Sequence, residues 1–480
     1  MRTDPETCYR ALRSRDARFD GLFFVGVSST GVYCRPVCTA RTPKRENCTF
    51  FASAAAAEAA GFRPCLRCRP ELAPGNGSVD APARIAHAAT AMIEDGACND
   101  DRIGELAARL GVTARHLRRA FRAAYGVSPV QYAQTQRLLL AKRLLTDTAL
   151  PVTSVAIASG FRSLRRFNAL FLARYRMSPT ALRKRAGTAP ADGRIQTRLG
   201  YRPPFDWAGL IGFLGPRTVD GVEQVDGATY RRTVRLARRG GELRGWIAVR
   251  HDPARRVVEA DLDAALLPAL PQALARVRRL FDLAAHPEEI AAALGPLAEP
   301  RPGLRVPGAF DGFELAVRAV LGQQVSVRAA RTLAGRFARR FGDPIETPFA
   351  GLDVLFPTPE TVSRLEPAVI AELGVVAARA RTIVALARAL AGGTLRLDHG
   401  SDVEATLAAL RELPGVGEWT TQYIAMRALS WPDAFPHADL GLRKALGEPS
   451  PRRILAAGER WRPWRAYAAM HLWRSLDGAA

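Results

Sequence analysis

Residues 413–439 read LPGVGEWTTQYIAMRALSWPDAFPHAD. Two glycines, Gly415 and Gly417, flank one apolar residue, and apolar residues at helical spacing follow them. This pattern predicts a tight turn that leads into the N-terminus of a helix, where backbone N–H groups can bind a phosphate. A single carboxylate, Asp439, comes about one helix later. The stretch indicates chemistry beside a nucleic-acid backbone, although most glycine turns before a helix are only turns.

The composition of the chain also indicates a polyanionic partner. The 480 residues carry a formal net charge of +23, and 48% of them are hydrophobic. Their number predicts roughly three or four domains, and a protein this basic most often binds nucleic acid. An arginine-rich composition can also reflect a GC-rich genome. No apolar run approaches the ~18 residues of a membrane span and no signal peptide is evident, so we expect a cytoplasmic protein without a membrane partner.

Four cysteines near the N-terminus have the spacing of a metal site. They are Cys34, Cys38, Cys65 and Cys68. Two short-spaced thiol pairs in a cytosolic protein are typical of a tetrahedral zinc site. From the spacing alone, a zinc site that only holds the fold is the first alternative, because most four-cysteine sites are structural. The three cysteines outside the motif, which we expect to be ordinary buried or surface residues, are Cys8, Cys48 and Cys98.

The sequence around these cysteines is more specific than their spacing. FVGVSSTGVYCRPVCTART and RENCTFFASAAAAEAAGFRPCLRCRPE resemble the N-terminal domain of bacterial adaptive-response DNA methylation repair regulators (Ada type). The resemblance implies that the four thiols bind one Zn²⁺ and that Cys34 accepts a methyl group from a DNA methylphosphotriester. A thiolate is the nucleophilic form of cysteine, and zinc keeps it electron-rich. We hypothesise that methylation of Cys34 removes one negative charge and raises promoter affinity.

A repeat lies between two linker-like segments, 71–82 and 187–193. Each copy predicts a helix, a glycine turn and a basic helix, and both end in Tyr-x2-Ser-Pro, at Tyr125 and at Tyr175. Two such units predict a tandem helix-turn-helix domain that binds DNA. In the first unit, the second helix is expected to begin after the N-cap Thr113. The alternative is a helical bundle with a solvated basic face. The region resembles AraC-type regulators, which implies promoter DNA and RNA polymerase as partners. The expected DNA contacts are Arg115, Arg118, Arg119, Arg162, Arg165 and Arg166.

Everything from about residue 195 resembles 3-methyladenine DNA glycosylase II (AlkA type), of the helix-hairpin-helix superfamily. The resemblance lies in PFDWAGLIGFLGPR, RPGLRVPGAFDGFELAVRAVLGQQVS, LPGVGEWTTQYIAMRAL and RWRPWRAYAAMHLW. It implies that the hairpin grips the DNA backbone, with a monovalent cation as a further candidate ligand, and that Asp439 is the catalytic carboxylate. The implied hairpin contacts are Leu413, Gly415 and Gly417, and the implied base pocket is Trp419, Tyr423 and Trp473.

These residue types suit the removal of an alkylated base. The base must leave the stack before its N-glycosidic bond can be cut, and a cationic base binds against aromatic rings. One carboxylate can then stabilise the oxocarbenium-like sugar and admit water. Trp419 stands where bifunctional relatives carry a lysine, so we expect base release without strand nicking. The family's apolar DNA wedge is the polar Gln324 here, which puts base preference in doubt.

We therefore expect a mostly helical multidomain protein that combines alkylation repair with its regulation. The predicted domains are an α+β zinc domain at 1–75, an all-α tandem helix-turn-helix at 83–186, an α+β antiparallel-sheet domain at 195–300 and an all-α helix-hairpin-helix domain at 301–480. Direct O6-methylguanine reversal is excluded, because no cysteine lies past Cys98. One alternative is a methylation-responsive transcription factor whose glycosylase half only binds DNA. The other confines repair to that half and makes the zinc purely structural.

Within the last two domains, the spacing of apolar residues predicts individual elements. Strands are expected at 230–236, 243–249 and 256–262, and a covering helix near 268–284. Further helices are expected at 313–321, 327–341, 360–365, 370–390 and 403–413. A last helix is expected to carry Trp461, Trp464, Tyr467, His471 and Trp473.

Overall fold

The structure is a computed structural model that describes residues 4–74, 84–94, 103–186, 194–238, 241–398 and 400–476. Most of both predicted linkers, and Cys98, lie outside these residues. The chain divides into two compact units. The first comprises Met1–Pro203, Asp252–Ala275 and Leu283–Ala285, and the second comprises Pro204–His251, Arg276–Asp282 and His286–Ala480. The expectation of a mostly helical, multidomain chain is confirmed.

The N-terminal part of the first unit is a small sheet with two helices. The helices are α1 (Pro5–Ser14) and α2 (Ala54–Ala59), and the strands are β1 (Phe24–Val27), β2 (Val32–Cys34), β3 (Cys48–Phe51) and β4 (Arg63–Pro64). The strand order is β3-β1-β2-β4. Only β4 runs parallel to its neighbour, with Tyr33 opposite Pro64. This register brings Cys34, which ends β2, beside Cys65, which follows β4, so the predicted small sheet unites the two thiol pairs.

The described residues that follow in the same unit, up to Ala186, form seven helices, which contain the predicted repeat. They are α3 (Arg84–Glu94), α4 (Ile103–Arg109), α5 (Ala114–Tyr125), α6 (Pro129–Asp147), α7 (Val152–Ala158), α8 (Leu164–Tyr175) and α9 (Pro179–Ala186). The turns α4–α5 and α7–α8 each contain a glycine with positive φ, Gly111 at 66° and Gly160 at 84°. Thr113 caps α5 as predicted, because its side chain accepts the N–H of His116.

A buried ion pair and a half-buried one fasten the zinc-binding part to α6. Lys142 Nζ lies 2.6 Å from Glu71 Oε2, and both side chains are almost fully buried. Arg69 pairs with Asp147 at 2.8 Å. A buried ion pair is weak evidence for stability, but breaking one by removing a partner costs about 3–5 kcal/mol. These pairs therefore fix the position of the zinc-binding part on the helix that joins the two helix-turn-helix units.

A buried acid, Glu58, makes a second link between the same parts. Its carboxylate accepts hydrogen bonds from the Tyr33 hydroxyl at 3.0 Å and from the Thr135 hydroxyl of α6 at 2.9 Å. Burial raises the pKa of Glu58 to about 7, although both hydroxyls act in the opposite direction. Tyr33 directly precedes Cys34 in β2. Glu58 thus connects the strand of the first zinc ligand to α6.

The next region contains five strands and three helices. The strands are β5 (Arg194–Gly200), β6 (Glu223–Asp226), β7 (Thr229–Arg238), β8 (Gly241–Asp252) and β9 (Val257–Asp263), and the helices are α10 (Trp207–Leu214), α11 (Leu270–Leu280) and α12 (Pro287–Leu294). In the first unit β5 pairs antiparallel with β9. In the second unit β6, β7 and β8 form an antiparallel meander. The three predicted strands and the predicted helix near 268–284 are confirmed.

The rest of the second unit is almost wholly helical. Its helices are α13 (Gly312–Leu321), α14 (Val327–Phe341), α15 (Pro359–Ser363), α16 (Pro367–Ala371), α17 (Ala377–Ala391), α18 (Val403–Arg411), α19 (Glu418–Arg427), α20 (Leu440–Leu446), α21 (Pro451–Gly458) and α22 (Arg465–Ser475). Two short strands, β10 (Asp343–Pro344) and β11 (Val354–Leu355), pair antiparallel.

Two helix predictions in this region were wrong. A single helix was expected over 370–390, but α16 ends at Ala371 and α17 begins at Ala377 because Gly374 adopts a φ of 90°. The last helix was expected to carry five aromatic residues, but α22 begins at Arg465, after Pro463. Trp461 and Trp464 therefore precede it. Both side chains are buried.

Candidate functional site

The hairpin of residues 413–417 is an exposed turn whose shape depends on one glycine. Gly415 has a φ of 79°. A Cβ added there would lie 2.3 Å from Thr382 Oγ1, which itself donates to Pro414 O at 2.7 Å. Gly417 is the N-cap of α19. The first N–H groups of any helix lack intrahelical acceptors, so this end of α19 can bind an anion.

The first turns of α19 position two rings of the predicted base pocket. Trp419 and Tyr423 are four residues apart and therefore lie on one face of the helix. Their rings stack with centroids 5.2 Å apart and an interplanar angle of 11°. Trp473 of α22 approaches from the other side, at 6.3 Å from Tyr423. All three rings are partly exposed, so the structure brings the predicted pocket residues together.

Asp439 lies at the centre of this aromatic group. The indole Nε1–H of Trp419 donates to its Oδ2 at 2.7 Å, and that of Trp473 donates to its Oδ1 at 2.8 Å. Asp439 is also the N-cap of α20, where its Oδ1 accepts the N–H of Leu442 at 3.1 Å. Three donors from three helices fix the carboxylate in one orientation. The indoles predicted to line the base pocket therefore also orient Asp439, the predicted catalytic carboxylate.

Sequence reasoning missed a residue that supports the Asp439 segment. Gln422 accepts the backbone N–H of Phe435 at 3.0 Å and donates to Glu418 at 2.8 Å. Glu418 in turn pairs with Arg411 at 2.9 Å. This series of contacts connects the hairpin end of α19 to the loop before Asp439. The sequence did contain one signal for this role: Gln422 is polar and lies four positions after Glu418, on the same face of the helix.

Sequence reasoning also missed Phe213 of α10, although it lies in the quoted PFDWAGLIGFLGPR segment. Its ring is stacked with that of Trp473, with centroids 6.2 Å apart. Arg217 Cζ lies 3.9 Å from the centre of the Phe213 ring, and Arg427 Cζ lies 5.1 Å from it. Phe213 extends the aromatic group around Asp439, and no local pattern places it beside Trp473 and Arg427, which both lie more than 200 residues later in the sequence.

Three guanidinium groups influence Tyr423 electrostatically. Burial by itself would raise the pKa of the Tyr423 phenol. The charges of Arg427, Arg217 and Arg318, together with a hydrogen bond from Arg427, outweigh burial and leave this pKa below its ordinary value. Arg427 Nη1 also donates to the phenol oxygen at 2.7 Å. The surroundings of Tyr423 are therefore electropositive.

Gln324 lies in the loop between α13 and α14, exposed and with a φ of 52°. Its neighbour Gln323 connects this loop to the hairpin. The Gln323 side-chain amide donates to Gly415 O at 3.0 Å and to Thr420 Oγ1 at 2.9 Å. The predicted DNA-inserting residue and the predicted backbone grip are thus held together by two hydrogen bonds.

The four predicted zinc ligands converge. The sulfur atoms of Cys34, Cys38, Cys65 and Cys68 all lie within 4.8 Å of one another. Tetrahedral zinc with Zn–S bonds of about 2.3 Å needs sulfurs about 4 Å apart, so the residues fit the ion. The pKa of the Cys38 thiol is lowered to about 7, chiefly by a hydrogen bond with Cys34. Cys8 and Cys48, predicted to be ordinary cysteines, are buried away from the cluster.

Backbone donors surround this cluster unevenly. The N–H of Arg35 lies 3.3 Å from the sulfur of Cys68, and backbone hydrogen bonds also reach Cys38 and Cys65. A sulfur that accepts such bonds is a weaker nucleophile, because the bonds withdraw electron density from it. The Arg35 guanidinium is held by Asp20 and donates to Cys68 O. The segment after Cys34 is therefore fixed against the second thiol pair.

The basic residues predicted to contact DNA in the tandem repeat are all exposed. Arg115, Arg118 and Arg119 lie on α5, Arg165 and Arg166 on α8, and Arg162 in the turn before α8. The opposite faces of α5 and α8 are buried, with Phe121 and Phe171 in equivalent positions. Among the described residues, no helix is long and apolar enough to cross a membrane.

Four family models match the chain. They are the metal binding domain of Ada over residues 7–71, a helix-turn-helix domain over 106–185, the AlkA N-terminal domain over 196–311 and the HhH-GPD superfamily base excision DNA repair protein over 317–449. The first match and the converging sulfurs support one Zn²⁺ at the four-cysteine site. The DNA-binding domains make DNA the partner of this chain.

One relative matches the chain over almost its whole length, and two others match part of it. The "Probable bifunctional transcriptional activator/DNA repair enzyme AlkA" of Mycobacterium tuberculosis (strain CDC 1551) is 44% identical, over 99% of this chain and 97% of that protein. DNA-3-methyladenine glycosylase 2 of Escherichia coli is 38% identical over 57% of this chain and 95% of that protein. The Escherichia coli "Bifunctional transcriptional activator/DNA repair enzyme Ada" is 36% identical, over 32% of this chain and 42% of that protein. With 44% identity over almost its whole length, the chain belongs to the family of bifunctional proteins that join a transcriptional activator to an AlkA-type DNA repair enzyme.

Proposed function

We propose that the second unit hydrolyses the N-glycosidic bond of alkylated purines of the 3-methyladenine type, with Asp439 as its carboxylate. The observation that carries this proposal is the pair of indole N–H groups, from Trp419 and Trp473, that hold the two oxygens of Asp439. A carboxylate fixed beside stacked rings provides both needs of the reaction. The rings hold the base, and the charge stabilises the sugar cation.

The proposed reaction uses four parts of the unit in sequence. Leu413, Gly415 and Gly417 present the hairpin to a DNA phosphate, and Gln324 fills the space that the flipped base leaves in the duplex. The base stacks among Trp419, Tyr423 and Trp473. The glycosidic bond breaks with its electron pair leaving on the base, so that a cationic base departs neutral. Asp439 stabilises the resulting sugar cation and orients a water, whose oxygen bonds to C1′ while its proton passes to solvent.

The same geometry predicts that the strand is not cut. Strand nicking by relatives needs an amine that forms a Schiff base with the opened sugar. Trp419 occupies that position after the hairpin, and its N–H is engaged by Asp439. Base release should therefore leave an intact abasic site.

We further propose that Cys34 accepts a methyl group from a DNA methylphosphotriester. The sulfur would form a thioether while the C–O bond to the phosphotriester breaks and leaves a phosphodiester anion. When bound by the four cysteines, Zn²⁺ would keep their sulfurs as thiolates. Backbone N–H groups reach Cys38, Cys65 and Cys68. These bonds weaken three of the four nucleophiles and support Cys34 as the acceptor.

The regulatory part of the proposal concerns the tandem helix-turn-helix. The six exposed arginines of α5, α8 and the turn before α8 would contact promoter DNA, and methylation of Cys34 would raise promoter affinity. RNA polymerase would be a further partner. We also propose domain boundaries at 1–75, 83–186, 195–300 and 301–480. A monovalent cation would bind at the hairpin, and the protein would be located in the bacterial cytoplasm beside the nucleoid.

The decisive experiment is single-turnover base release from methylated duplex DNA by the wild type and by Asp439→Asn. We expect the wild type to release 3-methyladenine and the variant to lose release by about 10²–10³-fold. Equal release by both proteins would remove Asp439 from the mechanism. No release by a folded wild type would favour the alternative of a transcription factor that only binds DNA there. Transfer of labelled methyl to Cys34 tests the zinc site, and its absence would make that site purely structural.

A further inference from the structure

The short helix α2 of the zinc-binding part contacts both helix-turn-helix units. The hydroxyl of its N-cap residue, Ser53, donates a buried hydrogen bond of 2.9 Å to the backbone oxygen of Tyr125, the last residue of α5. Near the other end of α2, the backbone oxygen of Glu58 accepts a hydrogen bond of 2.8 Å from Arg174 Nη1, in the last turn of α8. A helix of six residues therefore joins the C-terminal ends of the two basic helices.

The two hydrogen bonds reach matching places in the repeat. Tyr125 and Tyr175 are the last residues of α5 and α8, and each begins a copy of Tyr-x2-Ser-Pro. Arg174 is therefore one residue before the position that matches Tyr125. In a helix-turn-helix, the N-terminal residues of the second helix contact base edges. The α2 helix thus holds both helices at the ends that are distant from the bases.

The alanine side chains of α2 are packed on two sides. Ala55 belongs to the buried apolar cluster of the first helix-turn-helix unit, together with Phe121. Ala57 belongs to a separate cluster, with Tyr33 of the zinc-binding sheet and Leu139 of α6. An isolated helix of six residues is unstable in water, so α2 depends on these contacts for its structure. The zinc-binding sheet therefore contributes to the position of α2.

Glu58 connects α2 to further elements through its carboxylate, which accepts the hydroxyls of Thr135 in α6 and Tyr33 in β2. Along the chain, α6 alone joins the two helix-turn-helix units. Two bodies joined by one element can rotate about it, and such motion is the default between small domains. A second connection at separate points prevents that rotation. The contacts of α2 with both units supply this second connection.

We infer that α2 makes the zinc-binding part a specificity-determining element of DNA binding, because it fixes the spacing of the two half-sites that the tandem helix-turn-helix accepts. The inference rests on the proposed contact of α5 and α8 with DNA. Half-sites of paired helix-turn-helix units lie about one helical turn apart. One inserted base pair moves the second half-site by about 3.4 Å and rotates it by about 35°. A rigid pair of helices then reaches only one half-site and loses the gain from binding both.

The test uses the full-length, zinc-loaded protein and a duplex that the wild type selects from a random DNA library. Footprinting locates the half-sites of this duplex, and affinity is measured for it and for a copy with one base pair inserted between the half-sites. The variants are Ser53→Ala, Arg174→Met and the double variant, which remove the hydrogen bonds to α5 and α8. Arg122→Met is the matched control, because it removes an exposed arginine from the last turn of α5. Thermal melting shows whether each variant is folded.

We expect the wild type to bind the inserted duplex about 100-fold more weakly than the selected duplex. In the double variant this ratio should fall to about tenfold, because a looser pair of helices can still reach both half-sites. Its affinity for the selected duplex should fall by less than about tenfold. Each single variant should lie between these limits, and Arg122→Met should keep the wild-type ratio. A purely structural role of α2 would weaken binding to both duplexes equally.

An unchanged ratio in the double variant, or an equal change in Arg122→Met, would overturn the inference. If the double variant does not fold, the two single variants decide the test in the same way. A wild type that occupies two half-sites but binds both duplexes alike would also overturn it, and the proposed DNA contact of both units would stand. A footprint on only one half-site would contradict that proposed contact, and the inference with it.

Discussion

At the zinc site four like groups converge within 4.8 Å, whereas Asp439 in the glycosylase unit is a single acceptor among three donors. Four thiolates repel one another, and only a bound cation offsets that repulsion. The Asp439 geometry is complete within the protein itself. The reactive centre of the first unit should therefore depend on a metal for its shape, and that of the second should be preorganised.

Removal of zinc tests this contrast with the largest expected effect. A chelator should abolish hydrogen-exchange protection in β1, β2 and β4, because a structural zinc site contributes about 10 kcal/mol to folding. Base release by the same sample should be unchanged. Exchange measured by mass spectrometry and a base-release assay give both readouts. Loss of base release along with the exchange protection would show that the two centres are not independent.

The pH dependence of the first unit should follow Glu58. Its pKa is raised from 4.5 to about 7 in the folded state, so the folded state holds a proton that the unfolded state loses. Stability from this group is complete below pH 4.5 and falls by about 3 kcal/mol as pH rises to 7. In Glu58→Gln, the midpoint temperature of thermal unfolding of the first unit should change less between pH 5 and pH 7.5 than it does in the wild type. If the midpoint of the variant depends on pH as steeply as that of the wild type, other groups cause the pH dependence.

The donors around Asp439 can be removed while the rings remain. Trp419→Phe and Trp473→Phe each delete one N–H bond to a charged group, which is worth about 1.5–3 kcal/mol. Single-turnover base release should slow by roughly 10–100-fold in each variant. Trp461→Phe is the control, because Trp461 is buried and is not among the three donors to Asp439. If the three variants were equally slow, ring packing rather than donation would explain the loss.

The hairpin gives the smallest effect and has an internal control. Gly415→Ala should lower the stability of the second unit by about 1–2 kcal/mol, because a φ of 79° and Thr382 at 2.3 Å both oppose a Cβ. Gly417→Ala should lower stability less, by about 0.5 kcal/mol, since nothing lies within 4 Å of its added Cβ and only the poorer N-cap preference of alanine opposes it. If Gly417→Ala binds DNA more weakly, the added methyl group must keep the backbone from approaching the DNA closely. Equal thermal melting of the two variants would contradict this account.

Local patterns predicted the ligands and elements that depend on nearby residues. The cysteine spacing predicted a zinc site, the glycine turns predicted the two helix-turn-helix units, and alternation predicted β7 to β9. The sequence did not reveal the break at Gly374, because a helical apolar pattern continues through a residue whose backbone φ is not encoded in periodicity. It also did not reveal Phe213 and Arg217 as pocket residues. Only tertiary packing brings them to Trp473 and Tyr423.

The hydrogen bonds of Gln323 have a kinetic consequence. They hold the Gln324 loop to Gly415 and Thr420 before any DNA is bound. The entropy of ordering that loop is therefore lost once, during folding, and not at each encounter with DNA. Under the proposed function, every phosphate that the hairpin grips already has Gln324 aligned with the neighbouring base step. The search along undamaged DNA then proceeds at the rate of sliding and is not slowed by loop closure at each position.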